Sequence, residues 1–225
     1  MPLAVCFATF IFVGKISKIM ASIAFHPTPG VGIQETNEPQ QPVSWQEFEE
    51  QYLCREDAFK YEWVRGAVVK TPRAMNQYQY FILLNLQRRF AQLKSEQKVA
   101  GEFLAETDTF FLKTVHRRPD MAWFDDEQVA RMAHRQNQVP KFVIEIISDN
   151  DIVDNLLDKL KDYRDAEVAV IWLISPKLEQ VHIYKAGDAT ICTGDDICTA
   201  APVLPEFQLK ASEIFVKPAL PEEAA

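Results

Sequence analysis

From residue 140 to residue 175 the hydrophobic pattern alternates between two nearly unbroken apolar runs and an amphipathic segment that joins them. The first run, Phe142-Val-Ile-Glu-Ile-Ile147, reads as a strand with Phe142, Ile144 and Ile146 on one face and Val143, Glu145 and Ile147 on the other. Apolar residues on both faces predict a strand covered from both sides. In the segment that follows, a spacing of about 100° per residue puts Ile152, Leu156, Leu160 and Tyr163 in one stripe and predicts a helix over 152–165. Asp154, Asp158, Lys161 and Asp165 point away from that stripe. Residues 168–175 then form a second buried strand, ended by Ser175-Pro176.

The rest of the chain is punctuated more loosely. Ser44-Trp-Gln-Glu47 is a capping-box pattern and predicts a short helix ending near Tyr52. Residues 60–69 read as two short strands turning at Arg65-Gly66. A long helix is expected over 75–97, with Tyr78, Ile82, Leu86, Phe90 and Leu93 on its core face. Its outer face and end carry Arg88, Arg89, Lys94 and Lys98, the ordinary furniture of a solvated face unless they meet phosphate. Residues 102–112 and 118–124 read as strands separated by a connector over 113–118. A surface helix or loop is expected at 125–135, and a meander of strands at 180–185 and 190–193.

Composition places this pattern in one domain. A chain of 225 residues with 48% hydrophobic and 25% charged content can bury a single good core. Residues 1–43 are expected to be an extension and linker outside it. They hold an apolar run at 3–13 with Lys15 and Lys18 after it and no base before it, a second candidate start at Met20, and a Pro-, Gly-, Gln- and Glu-rich stretch at 26–42. The folded domain is expected over 44–217 and a disordered acidic tail over 218–225. No run of about 20 apolar residues suits a membrane span. The net charge of −8 argues against a generally basic nucleic-acid surface and leaves room for a local basic groove. Cys6, Cys54, Cys192 and Cys198 show neither zinc-ligand nor disulfide-framework spacing, which fits a reducing cytoplasm. His26, His116, His134 and His182 form no metal-binding cluster, and no glycine-rich phosphate loop or nucleophile elbow occurs. No organic cofactor is expected.

Four residues break the hydrophobic pattern in chemically suggestive ways. Glu145 is a carboxylate inside an apolar strand and requires compensation. Lys159 falls within the apolar stripe of the next helix. Taken alone such a lysine usually snorkels to water, but opposite a buried carboxylate it implies an ion pair or a functional contact. Asp120 shares a strand face with Ala122 and Phe124, and Glu62 lies on the early hairpin. Each in isolation would be read as a turn or strand-edge acid. If the strands of Asp120 and Glu145 are neighbours, their carboxylates converge on one divalent cation, for which magnesium, an oxygen-seeking ion that retains waters, is well suited.

At this point the chain resembles the PD-(D/E)XK nuclease superfamily, and more closely the Uma-two family grouped with restriction endonucleases. The resemblance spans about residues 44–215. It lies in Tyr61-Glu62 with Gly66, Arg118-Pro119-Asp120, Glu145-Ile-Ile-Ser148, Lys159-Leu-Lys-Asp-Tyr163, and Trp172-Leu-Ile-Ser-Pro176 followed by Val181-His-Ile-Tyr184. The superfamily lysine normally stands two residues beyond the acid, where this chain has Ile147; in the Uma-two pattern it has moved to the helix, where Lys159 matches it. The chain departs from the family pattern at Ser148-Asp149, Gln77-Tyr78 and Val170-Ile171. The resemblance implies an α/β (α+β), restriction-endonuclease-like fold with a mixed sheet flanked by helices. It implies Asp120 and Glu145 as ligands of Mg²⁺ or Mn²⁺, with the carbonyl of Ile146 as a third, Glu62 as a supporting carboxylate and Lys159 as the catalytic lysine. The expected activity is metal-dependent hydrolysis of DNA, with a homodimer matching duplex symmetry. The alternatives are an inactive nuclease-fold module that binds nucleic acid or protein, and a structural domain in which Glu145 and Lys159 form a buried ion pair.

Overall fold

The computed structural model describes residues 41–72, 77–148, 152–185 and 187–219. The expectations for 1–40 and for the tail from 220 onward lie outside the described residues. Helix α1 (Trp45–Phe48) begins at Ser44, whose hydroxyl and backbone exchange hydrogen bonds with Glu47 as the capping box requires, and runs on into a π-helical turn, Glu49–Leu53. There follow β1 (Phe59–Val64), β2 (Ala67–Pro72), α2 (Gln77–Ser95), β3 (Glu102–Ala105), β4 (Thr109–Leu112), β5 (Val115–Arg117), β6 (Met121–Phe124), α3 (Asp126–Ala133) and β7 (Phe142–Ile146). The chain closes with α4 (Val153–Asp165), β8 (Val170–Ser175), β9 (Gln180–Lys185), β10 (Asp188–Thr193), β11 (Ile197–Ala200), β12 (Leu204–Lys210) and α5 (Ala211–Ile214).

The strands form a six-stranded mixed sheet, β10-β9-β8-β7-β6-β3, a four-stranded antiparallel sheet, β2-β1-β5-β4, and the hairpin β11-β12. Among the described residues β7 and β8 are the one parallel pair, and α4 is the crossover between them. The β1–β2 turn at Arg65-Gly66 has positive φ at both residues, 52° and 85°, the geometry that lets a two-residue loop follow the twist of its strands.

Two expectations need correction here. The single strand read over 102–112 is two strands, β3 and β4, and they belong to different sheets. The break falls at Glu106, which has a φ of 47° and whose N–H donates to the Pro119 carbonyl. The connector read over 113–118 contains β5, whose three residues are all buried. Its pairing with β1 and β4 is tertiary and leaves no periodic trace in so short a segment. The β11-β12 hairpin was likewise beyond the expected meander.

Each face of the mixed sheet is covered. On one, Ile82, Leu86, Phe90 and Leu93 of α2 pack with Met121, Phe142, Ile144, Trp172 and Phe207. On the other, Leu156, Leu160 and Tyr163 of α4 meet Val143, Ile171 and Leu173, with Phe111 and Val115 arriving from the smaller sheet. Burial of each such side chain contributes about 1.5–3 kcal/mol. Tyr78 and Ile152, read as the first members of the two helical stripes, lie 37% and 54% exposed; Tyr78 is the second residue of α2, and Ile152 caps α4 in extended conformation rather than lying within it. Val43, one residue ahead of the expected boundary, is tied in by its N–H to the Gly66 carbonyl and by its carbonyl to the Trp63 indole.

After β5 the chain returns from the smaller sheet to the larger through one short crossing. β5 ends at Arg117 in the first sheet, Arg118-Pro119-Asp120 spans the gap, and β6 begins at Met121 in the second. That crossing positions the site.

Candidate active site at the junction of two sheets

β6 and β7 pair antiparallel with Met121 opposite Ile144 and Ala122 opposite Val143. Carried one residue further, the register sets Asp120 opposite Glu145, side chains on the face that α4 covers. Asp120 Oδ2 accepts from the Ile146 N–H at 2.7 Å, which fixes the carboxylate across the end of the strand pair. In the smaller sheet β1 pairs with β5, Trp63 opposite His116, and the same step brings Glu62 opposite Arg117. Alternation along β1 turns Lys60 and Glu62 toward this junction, while Tyr61 and Trp63 pack with Phe48 on the far side.

The helix supplies the remaining groups. Lys159 Nζ donates to Glu145 Oε2 at 2.9 Å and lies 4.0 Å from Glu62 Oε1. The Tyr163 hydroxyl donates to the other oxygen of Glu145. Asp162 accepts from Arg117 Nε at 3.1 Å and Nη2 at 2.6 Å, and pairs with Arg65 on its other oxygen. Arg117 Nη1 reaches Glu62 Oε2 at 2.9 Å, and the Arg118 N–H donates to Glu62 Oε1 at 2.8 Å. Lys60 Nζ donates to the Arg118 carbonyl at 3.1 Å and to Asp120 Oδ1 at 3.3 Å. Lys60, Arg65, Arg117 and Lys159 thus balance Glu62, Asp120, Glu145 and Asp162 in one connected network.

Burial and charge pull the two glutamates in opposite directions. Burial would raise Glu62, but Lys159, Arg117, Lys60 and the Arg118 N–H outweigh it and hold the carboxyl at about 2. For Glu145 burial prevails over Lys159 and, helped by the neighbouring Asp120 charge, raises the carboxyl above its ordinary range. Burial alone would lower Lys159; Glu145, Glu62 and Asp120 reverse this and keep the ammonium protonated. Tyr163, enclosed and facing Glu145, is raised well above the usual phenol range and stays a donor.

The donor set suits a hard divalent cation. Asp120, Glu145 and the Ile146 carbonyl, which accepts from Gln79 Nε2 at 3.3 Å, lie at one strand end, and all offer oxygen donors. Among the described residues no group of three or more His, Cys, Asp or Glu side chains forms a metal cage. An ion held by two carboxylates and one carbonyl would keep several waters, as magnesium does.

The comparisons follow the same outline. Residues 45–212 match the Uma2 family, whose description is "Putative restriction endonuclease". The chain belongs to the Uma2 family. No match was found among the curated proteins. Among solved structures, this Uma2 chain is similar to one from Anabaena variabilis described as a putative nuclease belonging to DUF820. The TM-score is 0.64 at 18% identity, covering 77% of this chain and 98% of that one. At that identity the likeness establishes a shared fold, a mixed sheet flanked by helices.

All four side chains singled out in the sequence, Glu62, Asp120, Glu145 and Lys159, meet at this junction. Lys60, Arg117, Asp162 and Tyr163 were not singled out. Two of them left a signal: Lys60 shares a strand face with Glu62, and Asp162 stands one helical turn after Lys159. Of the bases on α2 and beyond it, Lys94 pairs with Glu102 and Lys98 with Glu96.

Proposed function

We propose that this Uma2 chain is a divalent-metal-dependent endonuclease that hydrolyses phosphodiester bonds in DNA. The convergence of Asp120, Glu145 and Lys159 from separate elements onto the end of the β6–β7 pair carries this reading. Asp120, Glu145 and the Ile146 carbonyl would hold Mg²⁺, or Mn²⁺ in its place; bound there, the ion would polarise a phosphoryl oxygen and acidify a coordinated water. Lys159, protonated and aimed at the same point, stabilises the charge that develops on the phosphoryl group. A lysine held by two carboxylates has no reason to give up its proton, so its part is electrostatic rather than that of a base. Glu62 acts as a positioning residue: it braces Lys159, Arg117 and the Arg118 backbone. Tyr163 fixes the second oxygen of Glu145. Two copies acting together would match the two-fold symmetry of a duplex.

One observation favours a second reading, an inactive nuclease-fold module that binds nucleic acid or a protein partner. Both oxygens of Glu145 already accept from protein donors. Metal removal separates the two. With supercoiled plasmid, EDTA-treated protein is expected to leave the DNA intact, added Mg²⁺ or Mn²⁺ to restore nicking, and Glu145→Gln to slow it by about a hundredfold or more. Cleavage that ignores EDTA would remove the metal from the account; DNA retention without cleavage under any metal would favour the module.

A further inference from the structure

Lys60 has a place in this network that the proposed chemistry leaves unused. It is only 7% exposed, and its ammonium is held by the Arg118 carbonyl and by Asp120 Oδ1. The strand dictates that position. Alternation sends Lys60 to the same side as Glu62, and the Arg118-Pro119-Asp120 crossing passes directly over it. Asp120 Oδ2 accepts from the Ile146 N–H, so an ion bound at the other oxygen, Oδ1, meets the Lys60 ammonium directly. Lys159 differs in kind: it is gripped by Glu145 at 2.9 Å with Glu62 beyond, whereas Lys60 has a single carboxylate at 3.3 Å.

We propose that Lys60 is an intramolecular competitor for the divalent ion: its ammonium occupies the Asp120 oxygen that the ion would take, and loading the site requires it to withdraw. The inference rests on the reading of Asp120 as a ligand. A fixed positive charge beside an incoming dication opposes binding, and in a site this enclosed solvent screens the repulsion poorly. Affinity is therefore lowered by a side chain outside the ligand set, so that the site half-fills at a higher concentration of free metal.

The test is Mn²⁺ binding to the full chain, followed by the electron paramagnetic resonance of free Mn²⁺ at fixed pH and salt, with no DNA present. Lys60→Met keeps the stem and removes the charge, and should bind about tenfold tighter than wild type. Lys60→Arg keeps the charge and should bind no tighter than wild type. Asp120→Asn should lose the site. Near-UV circular dichroism checks folding, and Lys60→Gln stands in for the methionine variant if that one does not fold. Unchanged or weaker binding in the neutral variant, with Asp120→Asn still abolishing it, overturns the competitor and leaves the ligand assignment standing. Mn²⁺ binding that survives Asp120→Asn, or no binding in any form, overturns both.

Discussion

Glu62 shows at the scale of one residue how the junction ties stability to its chemistry. Folding favours its ionised form, because the folded value of about 2 lies below the ordinary 4.5. The stabilisation is therefore complete above about pH 4.5 and is lost as pH falls toward 2; its size is about 3 kcal/mol. Glu145 works the other way: with its folded value raised, its contribution declines as pH climbs above its ordinary range. Urea unfolding from about pH 2.5 to 7 should show stability falling on the acid side, and Glu62→Gln should flatten that slope. At neutral pH the same variant should be less stable by about 3–5 kcal/mol, since Arg117 and Lys159 lose their shared partner. An unaltered acid slope would contradict the account. These residues also mark what a sequence reveals. Glu145 and Lys159 were legible because each interrupts an apolar pattern. Arg117 sat in a stretch with no periodicity, Asp162 was marked among the solvated charges beside it only by its spacing from Lys159, and the aromatic ring of Tyr163 explained its position without its hydroxyl.

At the scale of elements, length decided legibility. The helices α2 and α4 and the strands β7 and β8 carry enough periodic positions to declare themselves. β3, β4, β5 and β11 hold three or four residues each, and what makes them strands is pairing with partners distant in sequence. The entry to β3 rests on Gly101, with a φ of 77°, where an added Cβ would lie 2.2 Å from the Phe124 carbonyl oxygen and 2.9 Å from the Trp123 indole nitrogen. The Phe124 backbone is held by the β3–β6 pairing and the Trp123 indole by its hydrogen bond to the Ala100 carbonyl, so neither gives way freely. Gly101→Ala should destabilise the protein by about 3 kcal/mol or more. Gly187 has a similar φ of 87° but open space around it, and alanine there should cost only about 1–2 kcal/mol. Thermal unfolding midpoints compare the two directly; equal losses would show that close approach at the β3–β6 edge contributes nothing.

At the scale of the molecule, the site exists because two sheets meet. Neither sheet alone brings more than half of the charged network together: β1 and β5 supply Lys60, Glu62 and Arg117, while the β6–β7 end supplies Asp120 and Glu145, and α4 spans both. The mixed sheet was foreseeable from the strand–helix–strand pattern and the family resemblance. The second sheet was not, because it turns on the change of sheet within Arg118-Pro119-Asp120. The eight charged groups balance, so on the proposed reading a bound dication would leave the centre positive where a phosphodiester would sit, on a chain whose net charge is −8. The most direct test is cleavage of supercoiled plasmid with Mg²⁺ or Mn²⁺ by wild type beside Asp120→Ala and Lys159→Ala, all three shown to be equally folded. The account predicts nicking or linearisation by wild type alone. Equal cleavage by the three proteins, or none by any, would contradict it.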